Sequence, residues 1–181
     1  MKKIAVLFSG IGTNFEYLIQ NLPSDIRITL ALCNNPSANG ISIAQAHNIP
    51  VLVVDSSKFE TRELFDETLV YALKEANVDL VVLAGFMRIL TSVFTKNIKS
   101  INLHPSLLPR HKGTNAIAKS YHDEYPEGGV SVHYVTDELD GGEIILQKEI
   151  YKDDLSFDEY YQAIKKAEKE ALLEAVLKIL K

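Results

Sequence analysis

Three stretches of this sequence carry residue types that do chemistry, and each follows a short apolar run. The first is Ser9-Gly-Ile-Gly-Thr-Asn14. Glycines let the backbone approach a ligand, and free N–H groups where a helix begins attract an anion such as phosphate. A dinucleotide pattern would need a third glycine, but position 15 is Phe, and no acid follows the next apolar run, which ends in Cys33-Asn-Asn35. The stretch therefore favours a single phosphate, and the alternative is a tight turn in which Thr13 caps the helix.

The second stretch, Ile101-Asn-Leu-His-Pro105, places two polar side chains on one face of a strand. Residues two apart in a strand point to the same side, so Asn102 and His104 lie together. Pro105 ends the strand at its carboxyl end, the edge at which open α/β sheets bind ligands. The pair is a candidate catalytic site. The alternative is a histidine that makes a structural hydrogen bond.

The third stretch, Asp137-Glu-Leu-Asp-Gly-Gly142, is an acidic turn. Asp137 and Glu138 fit solvated acids, whereas Asp140, directly before two glycines, is a candidate for a fixed position facing an imidazole. A carboxylate beside a histidine stabilises the imidazolium cation, which suits acid–base work near neutral pH.

Glu168 interrupts an apolar stripe of the last predicted helix. A carboxylate there is costly unless it is paired, so it is a candidate to receive a ligand amine or hydroxyl. The alternative is that this end of the helix is half-exposed.

The remaining histidines are weaker candidates. His47 and His122 end helices, His111 lies in a basic loop, and His133 lies on a strand, either in the core or supporting the site. No pair of His, Asp or Glu residues has a metal-ligand spacing, so no metal is predicted.

Positioning these residues requires a scaffold that brings strand ends together, and the hydrophobic pattern predicts one. Apolar, β-branched runs alternate with helical stretches, which predicts an α/β fold: a mostly parallel twisted sheet with helices on both faces, of Rossmann-like type. The predicted strands are Lys3–Phe8, Ile26–Leu32, Val51–Val54, Val78–Ala84, Ser100–Leu103, Gly129–Val135 and Ile144–Ile150. The predicted helices are Thr13–Asn21, Ala38–His47, Ser57–Ala76, Asn115–Tyr121 and Ser156–Leu180. Capping boxes are predicted at Ser57/Glu60 and Ser156/Glu159.

Composition narrows the class of protein. The 181 residues, with 46% hydrophobic and 24% charged, predict one globular domain over residues 1–181. A net charge of −5 disfavours a surface that coats nucleic acid. A single cysteine, Cys33, leaves no internal disulfide and no cysteine-rich zinc site. No apolar stretch approaches the roughly 20 residues that cross a bilayer, so a cytoplasmic protein is expected.

Four stretches in this order resemble the glycinamide ribonucleotide formyltransferase family of purine synthesis. They are Ser9–Asn14, Leu83-Ala-Gly-Phe-Met-Arg-Ile-Leu90, Ile101-Asn-Leu-His-Pro-Ser-Leu-Leu-Pro109 and Ser131–Gly142. The resemblance runs from Met1 to about Val176. The Asn-x-His…Asp set is shared by the whole formyltransferase superfamily, whereas the glycine-rich turn and the flanking motifs narrow it to this family.

The resemblance implies a role for each candidate. Gly12, Thr13 and Asn14 would bind the substrate phosphate, Glu168 its ribose hydroxyls or amine region, and Asn102, His104 and Asp140 would be catalytic. The folate site would be lined by Arg62, Met87, Arg88, Ile89, Leu90, Asn102, Thr136, Asp137, Glu138, Leu139 and Asp140. The family usually has a histidine where Thr114-Asn115 stand, so the contacts of the closing loop are expected to differ. It also usually has a histidine where Lys169 follows Glu168.

The implied reaction passes a formyl group from 10-formyltetrahydrofolate to the substrate amine. The folate is a cosubstrate, so no tightly bound cofactor is implied, and the expected partners are small molecules rather than nucleic acid or membrane. A monomer or homodimer is expected. Two alternatives stay open: a formyltetrahydrofolate deformylase, and a non-catalytic module that binds a nucleotide phosphate.

Overall fold

A computed structural model describes the whole chain, from Met1 to Lys181. The seven strands are β1 (Lys2–Phe8), β2 (Ile26–Cys33), β3 (Val51–Val53), β4 (Leu80–Leu83), β5 (Ser100–His104), β6 (Glu127–Tyr134) and β7 (Ile144–Tyr151). The six α-helices are α1 (Thr13–Asn21), α2 (Gly40–Ala46), α3 (Arg62–Ala76), α4 (Ser92–Thr95), α5 (Ala116–His122) and α6 (Phe157–Leu180). The chain divides into two compact units, Met1–Ile101 and Asn102–Lys181, and the boundary falls within β5.

The first unit is built around parallel strands in the order β3-β2-β1-β4. Ile4 to Phe8 of β1 are fully buried, as an apolar strand with partners on both sides should be. Because the strands are parallel, their carboxyl ends meet at one edge. The loops after β1, β2 and β4 therefore begin next to one another.

The second unit is built around β6, β7 and the C-terminal helix α6. β6 pairs antiparallel with β7, and α6 packs on both strands. Tyr160 of α6 is fully buried, and its hydroxyl lies 2.9 Å from Ser120 Oγ. A Cβ on Gly128 would lie 1.8 Å from that hydroxyl, so a glycine there permits the close approach of α6 to β6.

The predicted fold class is confirmed: the protein is α/β, with a mostly parallel sheet. The bounds predicted for α1 are those observed. None of the helices combines the length and the apolar character that crossing a bilayer requires.

The two predicted capping boxes have opposite outcomes. Ser156 caps α6, and Glu159 returns the reciprocal hydrogen bond, so this box is confirmed. The box at Ser57 and Glu60 is wrong. Asp55 accepts hydrogen bonds from both the N–H and the hydroxyl of Ser57, which holds residues 56–58 in a separate 3-10 turn.

The helix predicted from Ser57 instead begins at Arg62, behind the cap of Thr61. The Thr61 hydroxyl accepts from the Leu64 N–H at 3.2 Å. We therefore expect Thr61→Ala to lower the free energy of unfolding by about 1 kcal/mol. The matched change Ser57→Ala should cost less than about 0.5 kcal/mol. Urea unfolding of both variants checks this, and an equal or larger loss at Ser57 would contradict the observed helix start.

Candidate active site

His104 ends β5 as a buried imidazole whose two nitrogens both have partners. The ring is 5% exposed. Nε2 lies 2.8 Å from the carbonyl oxygen of His111, and Nδ1 lies 3.3 Å from Asp140 Oδ2. A carbonyl oxygen only accepts, so Nε2 carries a hydrogen and donates it. Nδ1 faces the carboxylate, so a hydrogen on this nitrogen would be donated to Asp140.

Asp140 is held in place by contacts from several parts of the second unit. Its Oδ2 accepts from the Gly113 N–H at 2.9 Å, and its Oδ1 lies 3.5 Å from His133 Nε2. Burial raises the pKa of the Asp140 carboxyl. The hydrogen bonds from His133 and Gly113 and the charges of both histidines outweigh burial, so this pKa lies below its ordinary value. Asp140 is therefore an anion at neutral pH.

Asn102 and His133 complete the cluster. His133 Nδ1 lies 2.8 Å from the carbonyl of Tyr134 and so carries a hydrogen. Its Nε2 lies between Asp140 Oδ1, at 3.5 Å, and Asn102 Nδ2, at 3.3 Å. His133 thus links the amide of Asn102 to the carboxylate of Asp140.

The structure brings together the three residues predicted to be catalytic, Asn102, His104 and Asp140. It adds His133, which the sequence left between a core and a supporting position. The position of His133 in the sequence indicates a supporting role. It lies two residues from Ser131 on a strand, and Ser131 is a buried polar residue that itself donates to the carbonyl of Ser106 in the loop after β5.

The glycine-rich turn of the first unit has the backbone that an anion site needs. Gly12 has a positive φ of 84°, and a Cβ on it would lie 2.8 Å from Gly40 Cα. Gly12 is the N-cap of α1 with no side-chain capping hydrogen bond, so the alternative of a Thr13 cap is wrong. Asn14 Oδ1 is buried without a hydrogen-bond partner. Buried polar atoms are nearly always paired, so the amide of Asn14 has hydrogen-bonding capacity left over, and its NH₂ group is the part that can donate to a phosphate oxygen.

The segment Met87–Leu90 follows β4 and is tied down at both ends. The Met87 N–H donates to Ser9 Oγ at 2.7 Å, and the N–H and hydroxyl of Thr91 donate to the buried Asp66 at 2.6 and 2.7 Å. Met87 and Ile89 are exposed nonetheless, at 74% and 56%. A rigid backbone that presents apolar side chains to solvent is suited to an apolar ligand.

Two further predicted contributors to the folate site belong to α3 and the Met87–Leu90 segment. The Arg88 guanidinium lies 5.5 Å from the centre of the Phe65 ring, and Arg62 is the first residue of α3. Ser9 joins the glycine-rich turn to the Met87–Leu90 segment, because its hydroxyl accepts from Met87 and donates to Asn34 at 2.5 Å. Within the first unit, the predicted phosphate and folate residues are therefore neighbours.

The residues before Asp140 form an exposed part of the same loop. Glu138 Oε1 accepts from Lys112 Nζ at 2.6 Å, and the Thr136 hydroxyl donates to the Glu138 carbonyl at 3.4 Å. Asp137 and Leu139 are exposed as well. The Lys112 contact links this loop to the segment that follows β5.

Glu168 is buried, at 5% exposure, so the alternative of a half-exposed helix is wrong at this residue. Both carboxylate oxygens accept from Lys165 Nζ, at 3.1 and 2.9 Å, one turn earlier on α6. The pairing offsets the cost of burying the charge. Glu168 makes none of the hydrogen bonds of the Asn102–His104–Asp140 cluster.

The chain is similar to a protein family, to a bacterial enzyme and to a solved structure that all carry the name formyltransferase. The family described as Formyl transferase matches residues 2–176. The chain is 35% identical over 159 residues to the phosphoribosylglycinamide formyltransferase of Bacillus subtilis, covering 85% of this chain and 82% of that protein. The crystal structure of the phosphoribosylglycinamide formyltransferase from Campylobacter jejuni superimposes with a TM-score of 0.96 at 47% identity, covering 99% and 98% of the two chains.

The chain spans only a small part of one longer relative. The chain is 37% identical over 153 residues to the human trifunctional purine biosynthetic protein adenosine-3. That match takes in 82% of this chain and 15% of the human protein. The family match runs through both compact units, and a single domain over residues 1–181 stays a prediction.

The lowered pKa of Asp140 predicts a pH dependence of stability. A carboxyl with a lowered pKa in the folded state contributes stability that is fully present above its ordinary value, 3.8, and is lost as pH falls through the lower folded value. Asp140→Asn lacks this contribution. The difference in free energy of unfolding between the wild-type protein and the variant should therefore shrink as pH falls from about 5 to about 2.

Urea unfolding across this pH range measures the difference. Other carboxyls with a lowered pKa, such as Asp55 and Glu159, are present in both proteins and cancel. A difference that stays constant with pH would show that Asp140 titrates normally.

Proposed function

The chain belongs to the Formyl transferase family, and from that membership we propose that it transfers the formyl group of 10-formyltetrahydrofolate to the amine of glycinamide ribonucleotide. The products are N-formylglycinamide ribonucleotide and tetrahydrofolate, a step of purine (IMP) biosynthesis. The observation that carries the proposal is the buried His104–Asp140 pair beside Asn102 at the end of β5. It stands in a chain that resembles phosphoribosylglycinamide formyltransferases over nearly its whole length.

The cluster supplies hydrogen-bond donors for the charge that develops during transfer. When the substrate amine attacks the formyl carbon, the formyl oxygen becomes negative. Nε2–H of His104 and the amide of Asn102 are the donors for that oxygen. The Asn102 NH₂ group lies 3.3 Å from His133 Nε2 and carries two hydrogens, so one of them is available to face the substrate. One such preorganised donor typically contributes about a hundredfold to a thousandfold in rate.

Asp140 supports the donor. As an anion 3.3 Å from Nδ1, it stabilises the positive charge that the ring gains when Nε2–H donates to the developing oxyanion. The new bond joins the amine nitrogen to the formyl carbon, and the bond from that carbon to the folate nitrogen breaks. The amine nitrogen gives up a proton and the departing folate nitrogen gains one, with water as the carrier.

The remaining site residues serve binding in this proposal. The N–H groups at the start of α1, with Gly12, Thr13 and Asn14, hold the substrate phosphate. Glu168, already paired with Lys165, accepts from ribose hydroxyls or the amine region. The folate contacts the residues named for it above: Arg62, Met87, Arg88, Ile89, Leu90, Asn102 and Thr136 to Asp140. It is a cosubstrate that leaves as product, so the protein holds no tightly bound cofactor. The chain acts on small molecules rather than nucleic acid or membrane, as a monomer or homodimer.

The test is the release of tetrahydrofolate from 10-formyltetrahydrofolate, followed by absorbance with and without glycinamide ribonucleotide. Release that requires the ribonucleotide is the expected result. Release without it would replace the transferase with a hydrolase, and no release in either case would favour a binding module.

His104→Ala and Asp140→Asn should each lower kcat by at least about a hundredfold while the fold persists, because each removes or weakens a donor to the developing oxyanion. Stopped-flow or steady-state turnover measures the loss, and circular dichroism checks the fold. His47→Ala, which changes an exposed histidine, is the matched control and should leave turnover unchanged. Near-normal turnover of either site variant would rule out this mechanism.

Asn14→Ala should act on substrate binding instead. We expect the KM for glycinamide ribonucleotide to rise about tenfold or more with kcat little changed, the pattern of a lost uniform binding contact. Gln20→Ala, an exposed change on the same helix, is the control. An equal loss of kcat at unchanged KM would place Asn14 in the chemical step rather than in phosphate binding.

A further inference from the structure

The hydrogen that the proposed reaction needs, on His104 Nε2, already makes a hydrogen bond to an acceptor of the protein. Nδ1 of His104 faces Asp140, so Nε2–H is the ring donor left for a substrate oxygen. That hydrogen is donated to the main-chain carbonyl of His111 at 2.8 Å. In a reaction of the proposed kind, the His111 carbonyl and the formyl oxygen compete for one hydrogen.

The His111 carbonyl is held there by the side chain of the same residue. His111 Nε2 lies 2.6 Å from Asp123 Oδ2, at the end of α5. Burial raises the pKa of the Asp123 carboxyl, but hydrogen bonds from Lys152 and His111 outweigh it and leave that pKa below its ordinary value. Asp123 is therefore a carboxylate at neutral pH and accepts from the His111 ring.

The anchor of Asp123 lies in the core. Lys152 is 6% exposed, and its Nζ donates to Asp123 Oδ1 at 2.5 Å. The same ammonium also donates to the main-chain carbonyls of Ser120, Tyr121 and Asp123, which terminate α5. A buried ammonium with four acceptors fixes the end of α5 and, through Asp123, the ring of His111.

The residues on either side of His111 are held as well. Arg110 donates to Glu127 at 3.2 Å and stacks over the ring of Tyr125 at 4.2 Å. The Gly113 N–H donates to Asp140. His111 itself has a positive φ of 55°, a conformation that a residue other than glycine keeps only where its surroundings fix it. The contacts of its ring and of its neighbours are those surroundings.

We infer that His111 is a positioning residue that keeps His104 in a resting arrangement: its ring, clamped to Asp123 and Lys152, holds its carbonyl on His104 Nε2. The effect of this arrangement on catalysis rests on the proposed function, because in formyl transfer the substrate oxygen must displace the His111 carbonyl from His104 Nε2. Displacing the His111 carbonyl costs free energy, and this cost weakens the binding of both the formyl donor and the transition state. Weakening the clamp therefore makes His104 more available.

The variant that isolates the clamp is His111→Asn. Asparagine adopts positive φ readily, and its amide is too short to reach Asp123 as the ring does, so the backbone conformation is kept and the clamp is lost. His122→Asn makes the same chemical change at the exposed histidine directly before Asp123, and it serves as the matched control.

The first measurement needs no substrate. Exchange of the His104 Nε2 hydrogen with water is followed by ¹H–¹⁵N NMR of the full chain. We expect exchange at least about tenfold faster in His111→Asn than in the wild-type protein, since a hydrogen bond of this kind is removed. His122→Asn should exchange at the wild-type rate. An unchanged rate in His111→Asn would overturn the inference.

The second measurement is steady-state formyl transfer. In His111→Asn we expect kcat/KM for 10-formyltetrahydrofolate to rise about threefold to tenfold, because a larger fraction of the protein has His104 free. Faster exchange together with a lower kcat/KM would also overturn the inference, since the carbonyl would then orient His104 for catalysis. If the wild-type protein shows no transfer at all, the proposed function fails, while the exchange rates still decide whether the clamp exists.

Lys152→Met is a second variant that weakens the clamp, and it tests the inference even if His111→Asn fails to fold. Methionine keeps the length of the side chain and removes the charge that anchors Asp123. The inference requires the same direction of change in the exchange rate of His104, provided that the circular dichroism spectrum is unchanged. An exchange rate equal to that of the wild-type protein would contradict it.

Discussion

The buried carboxylate of Asp140 is the constraint on which the candidate site depends. A charge taken out of water costs several kcal/mol unless donors and opposite charges replace the solvent. Here the Gly113 N–H and the rings of His104 and His133 replace it. These partners come from three different parts of the second unit: the end of β5, the loop behind it and the end of β6. Stabilising one anion therefore fixes the mutual position of all three segments.

Part of the unusual backbone lies beside this carboxylate. Five residues other than glycine have positive φ values: Asp140, His111 and Asn115 lie in the loops of the second unit that carry Asp140 and Gly113, whereas Asn48 and Asn77 follow α2 and α3. Such conformations persist only where neighbouring contacts over-determine them. Gly142 shows how tightly the Asp140 loop is folded, because a Cβ on it would lie 1.8 Å from the Tyr134 carbonyl at the end of β6. In the second unit, the positive-φ residues other than glycine thus all lie in the loops of the proposed site.

Sequence reasoning succeeds here where the physics is local and periodic. Alternation along β5 puts Asn102 and His104 on one face, and the capping box at Ser156 needs only residues within one helical turn. It fails where a competing partner decides the outcome. Asp55 captures Ser57, so the helix starts later, at Thr61. The acceptor that holds the His104 donor, the His111 carbonyl, was missed because it is a main-chain atom without any residue signature.

The His111 carbonyl suggests how a site of this kind stays folded before its substrate arrives. A buried N–H that lacks a partner costs roughly 1–3 kcal/mol, so a donor prepared for an oxyanion needs a substitute acceptor in the resting protein. For His104 that acceptor is a carbonyl oxygen, chemically close to the formyl oxygen it would meet. Substrate binding then exchanges one neutral acceptor for another and gains little from this donor. The gain comes when the substrate oxygen becomes an anion, because a hydrogen bond to a charged acceptor is about twice as strong as a neutral one. An exchange of this kind leaves the ground state nearly unaffected and stabilises the transition state, which is the condition for raising kcat.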